Sequence, residues 1–224
     1  MKHHAIAIDG PSGAGKSTAA RLLAKKLGYI YVDTGAMYRA VGLYAARAGV
    51  QHGDRHGVIG CLPGIQLHVD SPQGVQRIFL NGEDVSEAIR TEDGSVWASE
   101  VSAIPEVRAF LLDFQRSFAQ KNNVIMDGRD IGTVVLPDAE LKIFLTADDR
   151  ERARRRWREQ REKGMDVSLE EVYSAICQRD FNDSTRAAAP LKAADDAVTL
   201  DSTKLSLEQT IDAILCLAKE RFDD

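Results

Sequence analysis

Cysteine, long apolar runs and excess positive charge are all scarce in this 224-residue sequence. Its three cysteines, Cys61, Cys177 and Cys216, are widely spaced and never form a CxxC pair, which argues against a zinc knuckle or a disulfide framework and predicts reduced thiols. No uncharged apolar run approaches the roughly 20 residues that span a bilayer. The first hydrophobic stretch, Ala5 to Ile8, is too short for the core of a signal peptide. We therefore expect a cytoplasmic protein with no membrane partner.

The charge balance also limits the class of partner. The net charge is −5 at pH 7, whereas a protein surface that coats nucleic acid is normally basic overall. We therefore expect no nucleic-acid partner, and basic residues that act locally. With 44% hydrophobic and 28% charged residues and no repeat, the composition suits one domain that carries an insertion, or two small domains.

Hydrophobic periodicity predicts an α/β fold. The short run Ala5 to Ile8 precedes a glycine-rich turn and apolar residues at helical spacing, and a second such unit begins at Tyr29 to Val32. Three more short apolar runs are predicted as buried strands, at Val124–Met126, Leu141–Leu145 and Ala197–Leu200. Five short strands that alternate with helices imply a five-stranded parallel sheet flanked by helices, with ligands beyond the carboxyl ends of the strands.

An antiparallel hairpin insertion is predicted between about residues 63 and 90. Ile65, Leu67 and Val69 alternate with polar residues, and the run Val75–Leu80 leads into Asn81-Gly82, a strong hairpin signal.

Several residues further along the chain predict where helices begin. Pro105 opens an amphipathic helix, and Asp148 or Asp149 can cap an arginine-rich helix. Two capping boxes are predicted, Ser168 with Glu171 and Ser206 with Gln209.

The strongest motif is a phosphate-binding loop. Residues 10–17 fit GxxxxGK[ST] at every fixed position, between a predicted strand and a predicted helix, a context that disfavours a mere glycine-rich turn. Backbone N–H groups of such a loop converge on phosphate oxygens, Lys16 reaches the β- and γ-phosphates, and Ser17 can ligate Mg²⁺. The expected ATP-binding residues are Gly10, Pro11, Ser12, Gly13, Ala14, Gly15, Lys16, Ser17 and Thr18. The loop alone leaves the phosphoryl acceptor open.

Two further segments suit a phosphoryl-transfer site. Asp127 ends a hydrophobic strand, which fits either a Mg²⁺ ligand, direct or through water, or a simple strand cap. Arg129 and Asp130 add a cation and a second carboxylate at the same strand end, where ligands lie. Arg39 lies one turn inside a helix that Asp33 can cap, so it is either a surface residue or a bidentate ligand for a second anionic substrate.

Basic residues concentrate between Arg150 and Arg161, where seven of twelve residues are arginine. For most of them we expect a solvated helix face balanced by glutamates, while one or two are candidates to close over the transferring phosphoryl group as a lid. An RNA-binding module is the weakest alternative, because the run lacks stacking aromatics apart from Trp157. The polar cluster from Arg179 to Arg186 has the composition of a surface loop after a helix. No histidine shows a ligand or triad spacing.

Five motifs together resemble the bacterial cytidylate kinase family, in family order across most of the chain. They are GPSGAGKST at 10–18, DTGAMYR at 33–39, LNGEDVS at 80–86, DGRDIGTVVLPDA at 127–139, and the RD...D..R...PL stretch at 179–191. The combination is far more specific than the phosphate-binding loop alone. The resemblance implies a P-loop nucleoside monophosphate kinase fold in a single domain with an arginine-rich lid. Its core would span 1–34, 104–148 and 190–224, its monophosphate-binding part with the insertion 35–103, and its lid about 149–189.

The resemblance also implies an activity and a set of site residues. It implies ATP-dependent phosphorylation of CMP and dCMP to CDP and dCDP, with Mg²⁺ as cofactor, ATP and CMP or dCMP as partners, and a monomeric chain. The implied catalytic residues are Lys16, Arg39, Arg129 and Arg186. The implied CMP-binding residues are Thr34, Arg39, Ser99, Arg108, Arg129, Asp130, Arg179, Asp183 and Arg186. Ser17 and Asp127 would hold the metal.

Base selectivity has a physical basis in the implied contacts of Ser99, Arg108 and Asp130. Cytosine presents an N4 amino donor beside the N3 and O2 acceptors, so a carboxylate can accept from N4 while an arginine donates to N3 or O2. Uracil would place an acceptor against Asp130. We therefore expect a strong preference for CMP over UMP.

The sequence departs from the family pattern at one position, and other P-loop proteins share part of its motifs. Gly94 stands where a residue that supports the coming helix is expected, which leaves the start of that helix and the place of Ser99 open. A shikimate-type or other small-molecule P-loop kinase is disfavoured only by the acceptor-side motifs. A regulatory GTPase, as a nucleotide-dependent switch, would need [NT]KxD, whereas Thr203-Lys204-Leu205-Ser206 lacks the final Asp. A motor ATPase would place another acid where this chain has Gly128.

Overall fold

A five-stranded parallel sheet forms the centre of the molecule, as predicted. The structure is a computed structural model that describes residues 3–71 and 76–222. In chain-order numbering the strands are β1 (Ala5–Asp9), β2 (Ile30–Asp33), β6 (Val124–Gly128), β7 (Leu141–Thr146) and β8 (Val198–Asp201). Their spatial order is β2-β6-β1-β7-β8, and every neighbouring pair is parallel.

The central strand β1 explains how the sheet is buried on both faces. Ile6 and Ile8 pack in one apolar cluster, whereas Ala7 packs in the other, because successive side chains of a strand point to opposite faces. Among the described residues the edge strand β8 pairs only with β7, and its residues alternate between half-buried and exposed. The expectation of a buried strand at Ala197–Leu200 is therefore wrong in its burial, since the strand has one neighbour instead of two.

Helices cover both faces of the sheet. They are α1 (Lys16–Leu27), α2 (Thr34–Arg47), α3 (Arg55–Cys61), α4 (Glu92–Ser102), α5 (Pro105–Lys121), α6 (Asp149–Glu162), α7 (Leu169–Thr185) and α8 (Leu207–Phe222). A 3₁₀ turn follows α3 at Leu62–Gly64, and a π-turn follows β6 at Ile131–Val135. None of the helices in residues 3–71 and 76–222 combines the length and apolar character that a membrane crossing requires.

The predicted helix starts are confirmed by their capping hydrogen bonds. Asp33 accepts from the backbone N–H of Ala36 at the start of α2, and Asp148 accepts from the first turn of α6. Both capping boxes form, at Ser168 before α7 and at Ser206 before α8. Each bond satisfies N–H groups that lack a partner within the helix.

The insertion is a small antiparallel sheet of β3 (Leu67–Asp70), β4 (Arg77–Leu80) and β5 (Glu83–Asp84). Asn81 and Gly82 join β4 to β5 with φ angles of 49° and 85°, which confirms the predicted hairpin turn. The start of the predicted strand, Val75, lies outside the described residues. The two-residue β5 and the helix α3 were not predicted, because neither presents enough residues for a periodic pattern.

Helices α6 and α7 follow each other in the chain and pack together, and we call this helix pair the lid hairpin (residues 149–185). Its two helices pack on a small apolar cluster built around Ala153, Val172 and Ile176. Helix α7 continues to Thr185, so the surface loop expected from Arg179 onward is wrong. The polar side chains there lie on helical turns that face a cleft, and a polar helix face has the composition of a loop.

Candidate active site

One cleft of about 820 Å³ brings the predicted residues together. It contains the carboxyl-terminal end of β6 and residues that follow β1 and β2, and the lid hairpin contributes residues to its wall. All the predicted ATP, CMP and metal residues line it except Gly10 and Pro11. The structure therefore gathers residues that are up to about 170 positions apart in the sequence into a single site.

At the first position of the phosphate-binding loop, the backbone conformation and the close packing require glycine. Gly10 has a φ angle of 148°, and a Cβ atom there would lie 2.0 Å from the carbonyl oxygen of Leu145. The buried ammonium of Lys16 donates to the carbonyl oxygen of Pro11 at 2.6 Å. Burial, and then the charge of Arg129, lower the pKa of Lys16 well below its usual value. Lys16 thus lies over the loop, among other cations, where an anion would be stabilised.

An acidic group faces the start of α1. Ser17 Oγ donates to Asp127 Oδ2 at 2.7 Å, and the Tyr31 hydroxyl donates to Asp127 Oδ1 at 3.0 Å. Thr34 Oγ1 donates to the backbone carbonyl of Asp127 at 2.8 Å. Burial, and then the charge of Asp33, raise the pKa of Asp127 to about 6. Ser17 and Asp127, predicted separately to hold a metal, therefore lie in contact.

A carboxylate and two guanidinium groups form another part of the cleft wall. Arg108 Nη2 is in close contact with Asp130 Oδ2, and Arg186 Nη2 lies 3.6 Å from Asp130 Oδ1. Ser102 holds both arginines, since its carbonyl accepts from Arg108 at 3.3 Å and its hydroxyl accepts from Arg186 at 3.0 Å. Burial raises the pKa of Asp130 although the neighbouring arginines oppose the shift. Asp130 and Arg108 therefore present an acceptor and a donor side by side.

A second cationic group lies closer to the phosphate-binding loop. Arg129 Nε donates to Asp183 Oδ2 at 2.8 Å, and Arg39 Nη2 donates to Asp33 Oδ2 at 2.5 Å. Burial, and then the charge of Arg129, lower the pKa of Arg179 to about 10.

Some donors of these arginines have no acceptor. Within the described ranges, the buried Nε atoms of Arg39 and Arg179 and the Nη2 atom of Arg186 make no hydrogen bond. Unpaired buried donors are costly, and anionic oxygens in the cleft would satisfy them.

The start of helix α4 shows why glycine occupies position 94. Thr91 caps the helix by accepting from the N–H of Gly94 at 2.9 Å. A Cβ atom at position 94 would lie 2.7 Å from the carbonyl oxygen of Ile89, so the close turn before the helix requires glycine. The helix therefore begins normally at Glu92, and Ser99 lies on the cleft wall.

Sequence reasoning missed Asp9, the last residue of β1. Its two carboxylate oxygens accept from the N–H groups of Ile131 and Gly132, each at 2.7 Å, and fix the π-turn that follows Asp130. Burial raises the pKa of Asp9 to about 6. The available signal was an acid at the end of an otherwise apolar strand, directly before the phosphate-binding loop.

The loop between β8 and α8 was also missed. Residues 202–206 line the cleft, and Arg155 of α6 donates to the Ser202 carbonyl at 2.7 Å. The loop has no composition that marks it as a binding segment, and only the parallel order of the strands brings it to the cleft.

Comparison with known proteins gives a consistent family assignment. A model of the cytidylate kinase family matches residues 6–220. The cytidylate kinase of Caldicellulosiruptor saccharolyticus is 51% identical over 215 residues, which cover 96% of this chain and 95% of that protein. The cytidylate kinase of Geobacter sulfurreducens is 49% identical over 216 residues, which cover 96% of this chain and 93% of that protein. The solved structure of an uncharacterized protein from Eubacterium ventriosum superposes on this chain with a TM-score of 0.55 and 13% sequence identity. The match covers 98% of this chain and 100% of that protein, which therefore shares the fold. The chain belongs to the cytidylate kinase family.

Proposed function

We propose that this protein transfers the γ-phosphoryl group of ATP to CMP or dCMP, which yields ADP and CDP or dCDP. The observation that carries the proposal is the pairing of Asp130 with Arg108 in the same cleft as the phosphate-binding loop. The loop supplies a donor site, and the paired acceptor and donor supply a base-reading site. The family of the chain supports the same reaction.

The donor half consists of the phosphate-binding loop and α1. In this proposal, backbone N–H groups at the start of α1 and the ammonium of Lys16 bind the ATP phosphates. Residues 202–206 line the same cleft and are available to the rest of the ATP molecule.

The proposed metal site fits Mg²⁺ bound together with nucleotide. The contacting groups, Ser17 and Asp127, are oxygen donors, which Mg²⁺ prefers. Among the described residues no group of three or more His, Cys, Asp or Glu side chains could hold a metal. This agrees with an ion held by one or two protein groups, water and substrate phosphates. When bound, Mg²⁺ would neutralise charge on the ATP phosphates.

The acceptor half reads cytosine by hydrogen bonds. Asp130 accepts from the N4 amino group, Arg108 donates to N3 or O2, and Ser99 lies on the adjoining wall. A buried site of this kind rejects an analogue that reverses a donor and an acceptor by about 10⁴-fold, since polar groups would remain unpaired.

The phosphates meet in the cationic part of the cleft. The attacking oxygen of CMP is already ionised, so the reaction requires alignment and charge neutralisation instead of a general base. We assign the CMP phosphate to Thr34, Arg39, Arg129 and Arg186, and the sugar to Arg179 and Asp183. The buried Nε atom of Arg39, which makes no hydrogen bond, supports the phosphate assignment.

The remaining features of the proposal concern organisation. The proposal keeps the core, the monophosphate-binding part and the lid within the bounds given above and takes the lid hairpin as the closing element. We further propose that the chain acts as a monomer in the cytoplasm. Its three cysteines are free thiols in the structure, which supports a reducing compartment.

An acceptor panel tests the proposed function. ADP formation would be measured with ATP and Mg²⁺ against CMP, dCMP, UMP, AMP, GMP and shikimate. We expect turnover with CMP and dCMP, and a kcat/KM for UMP about 10⁴-fold lower. Equal turnover of UMP would overturn the base-reading assignment, and turnover of shikimate alone would assign the cleft to another small-molecule kinase.

A further inference from the structure

The base of the lid hairpin binds both backbone polar groups of one residue of the phosphate-binding loop, Ser12. The N–H group of Ser12 donates to Asp180 Oδ1 at 2.9 Å, and the carbonyl oxygen of Ser12 accepts from Arg152 Nη1 at 2.7 Å. Arg152 Nη1 is also in close contact with Asp180 Oδ2. We call this arrangement of Ser12, Arg152 and Asp180 the Ser12 clamp. It joins α6, α7 and the phosphate-binding loop at one point.

Arg152 is the buried member of the clamp and is held by further bonds. Arg152 is 4% exposed, and it also donates from Nε to the Ala147 carbonyl at 3.0 Å and from Nη2 to Asp149 at 2.6 Å. Its guanidinium is thereby fixed by groups from the loop, α6 and α7. A planar guanidinium meets several acceptors in set directions, which a lysine cannot do.

The next residue of the loop packs directly against α6. Gly13 has a φ angle of 74°, and a Cβ atom there would lie 3.1 Å from the carbonyl oxygen of Arg152 and 3.2 Å from its Cβ atom. The loop and the base of the lid hairpin are therefore in backbone contact. A shift of either one would displace the other.

Of the three clamp residues, Ser12 lines the cleft, and so do close neighbours of Arg152 and Asp180. Neither Arg152 nor Asp180 lines the cleft, whereas Arg179, directly before Asp180, does. Asp183, one turn further along α7, pairs with Arg129 at 2.8 Å. On α6, Arg156 lies one turn after Arg152 and also lines the cleft. The position of the clamp thus sets where the cations of the lid hairpin lie relative to the loop.

We propose that Arg152 and Asp180 are positioning residues that hold the lid hairpin and the phosphate-binding loop in register for phosphoryl transfer. The proposal rests on the proposed function for its kinetic test. The loop presents N–H groups to the ATP phosphates, and the lid hairpin presents Arg156 and Arg179 to the same cleft. Displacement of catalytic groups by about 1 Å can lower a rate by about 10²-fold.

Variants at the clamp test this role. Asp180→Asn keeps one acceptor for the Ser12 N–H group but turns an amide donor toward Arg152, and Arg152→Met removes the bond to the Ser12 carbonyl. We expect each to lower kcat about 100-fold and to raise the Kd for ATP about tenfold. The KM for CMP should rise as well, because Arg179 and Asp183, which we assign to the CMP sugar, lie on the helix that the clamp holds.

The exposed pair Arg161–Asp166 of the same hairpin gives a matched control. Its atoms lie 2.8 Å apart, and Asp166 is fully exposed. Arg161→Met and Asp166→Asn should leave kcat and ATP affinity unchanged, because a surface ion pair contributes little. Arg152→Lys supplies a milder change if Arg152→Met fails to fold, and we expect for it a smaller loss of kcat than for Arg152→Met.

Non-additivity separates positioning from general stability. Because both residues act through the backbone of Ser12, the double variant Arg152→Met/Asp180→Asn should lose no more kcat than the worse single variant. All assays would be run below the melting temperature of each variant. Folded clamp variants with control-like kcat and ATP affinity, or losses that add in the double variant, would overturn the proposal.

Failure of the proposed function gives a different result. Calorimetric titration with ATP in the absence of CMP measures the Kd for ATP of the wild type and of the clamp variants, so this result does not depend on any phosphoryl acceptor. A wild-type chain that binds ATP but does not phosphorylate CMP would contradict the proposed function alone. Clamp variants that bind ATP like the wild type, in a chain that does phosphorylate CMP, would contradict the clamp alone.

Discussion

Asp130 is 5% exposed and lies against Arg108, with Arg186 at 3.6 Å. This single carboxylate is the group that meets the exocyclic position of the base in the proposed CMP complex. A carboxylate only accepts, whereas an asparagine amide at the same place also donates and can meet the O4 acceptor of uracil.

Asp130→Asn should therefore relax base selection. We expect the ratio of kcat/KM for CMP to kcat/KM for UMP to fall about 100-fold, through both a loss with CMP and a gain with UMP. Steady-state kinetics with the two nucleotides measure the ratio. The exposed Asp138, a short distance along the chain, provides the control Asp138→Asn, for which the wild-type ratio should persist. An unchanged ratio in Asp130→Asn would assign base reading to another residue.

Asp9 makes stability depend on pH in a defined direction. Burial raises its pKa from 3.8 to about 6, so the folded state favours the protonated carboxyl more than the unfolded state does. Its contribution is fully present below pH 4 and is lost as pH rises to about 6. A difference of about 2 pKa units corresponds to roughly 3 kcal/mol.

The variant Asp9→Asn removes this titration. We expect the free energy of unfolding of the wild type, measured relative to Asp9→Asn, to decrease by roughly 3 kcal/mol between about pH 4 and about pH 7. Denaturant titrations of both proteins across this range provide the measurement. A difference that stays constant with pH would show that Asp9 has an ordinary pKa.

At the residue scale, the sequence predicted the groups that belong to motifs and missed those that act through tertiary contacts. Lys16, Ser17 and Asp130 lie in patterns whose spacing follows from the local backbone. Asp9 acts on a turn more than 120 positions away, at Ile131 and Gly132. No local spacing encodes such a contact, so only the strand order of the sheet reveals it.

The helices α2 and α4 carry two of the proposed CMP ligands, Arg39 and Ser99, and they touch at a glycine. A Cβ atom on Gly42 of α2 would lie 2.4 Å from the Cβ atom of Trp97 in α4. This contact fixes the separation of the two helices. In contrast, a Cβ atom on Gly60 of α3 would meet nothing within 4 Å.

These glycines should respond oppositely to substitution. Gly42→Ala should lower the free energy of unfolding by about 1–3 kcal/mol through overpacking. Gly60→Ala should raise it by about 0.5 kcal/mol, since alanine favours the helical backbone and meets no clash. Thermal and denaturant unfolding of both variants provide the comparison. Equal effects would show that α2 and α4 can separate without cost.

At the element scale, the pattern of apolar residues determined which strands and helices could be predicted from the sequence. The five core strands are confirmed because their apolar runs are short, dense and bounded by turn residues. The end of α7 was misassigned because its residues face the cleft instead of a core, and so carry charge. Capping residues were informative throughout, since one side chain is enough to define a helix start.

The whole molecule combines a net charge of −5 with a strongly cationic cleft. The cleft concentrates Lys16, Arg39, Arg129, Arg179 and Arg186, which the total charge conceals. Several of these groups have pKa values lowered by burial and by one another. A polyanion that reaches from the phosphate-binding loop to Asp130 would relieve this repulsion along the whole cleft.

The central claim is that ATP and CMP occupy this cleft together, with their phosphates adjacent. A molecule in which cytidine and adenosine are joined 5′ to 5′ by five phosphates tests the claim directly by calorimetry. We expect one molecule to bind per chain, about 100-fold more tightly than ATP, and to be displaced by ATP and by CMP. Binding no tighter than ATP, or displacement by only one of the two nucleotides, would contradict the account.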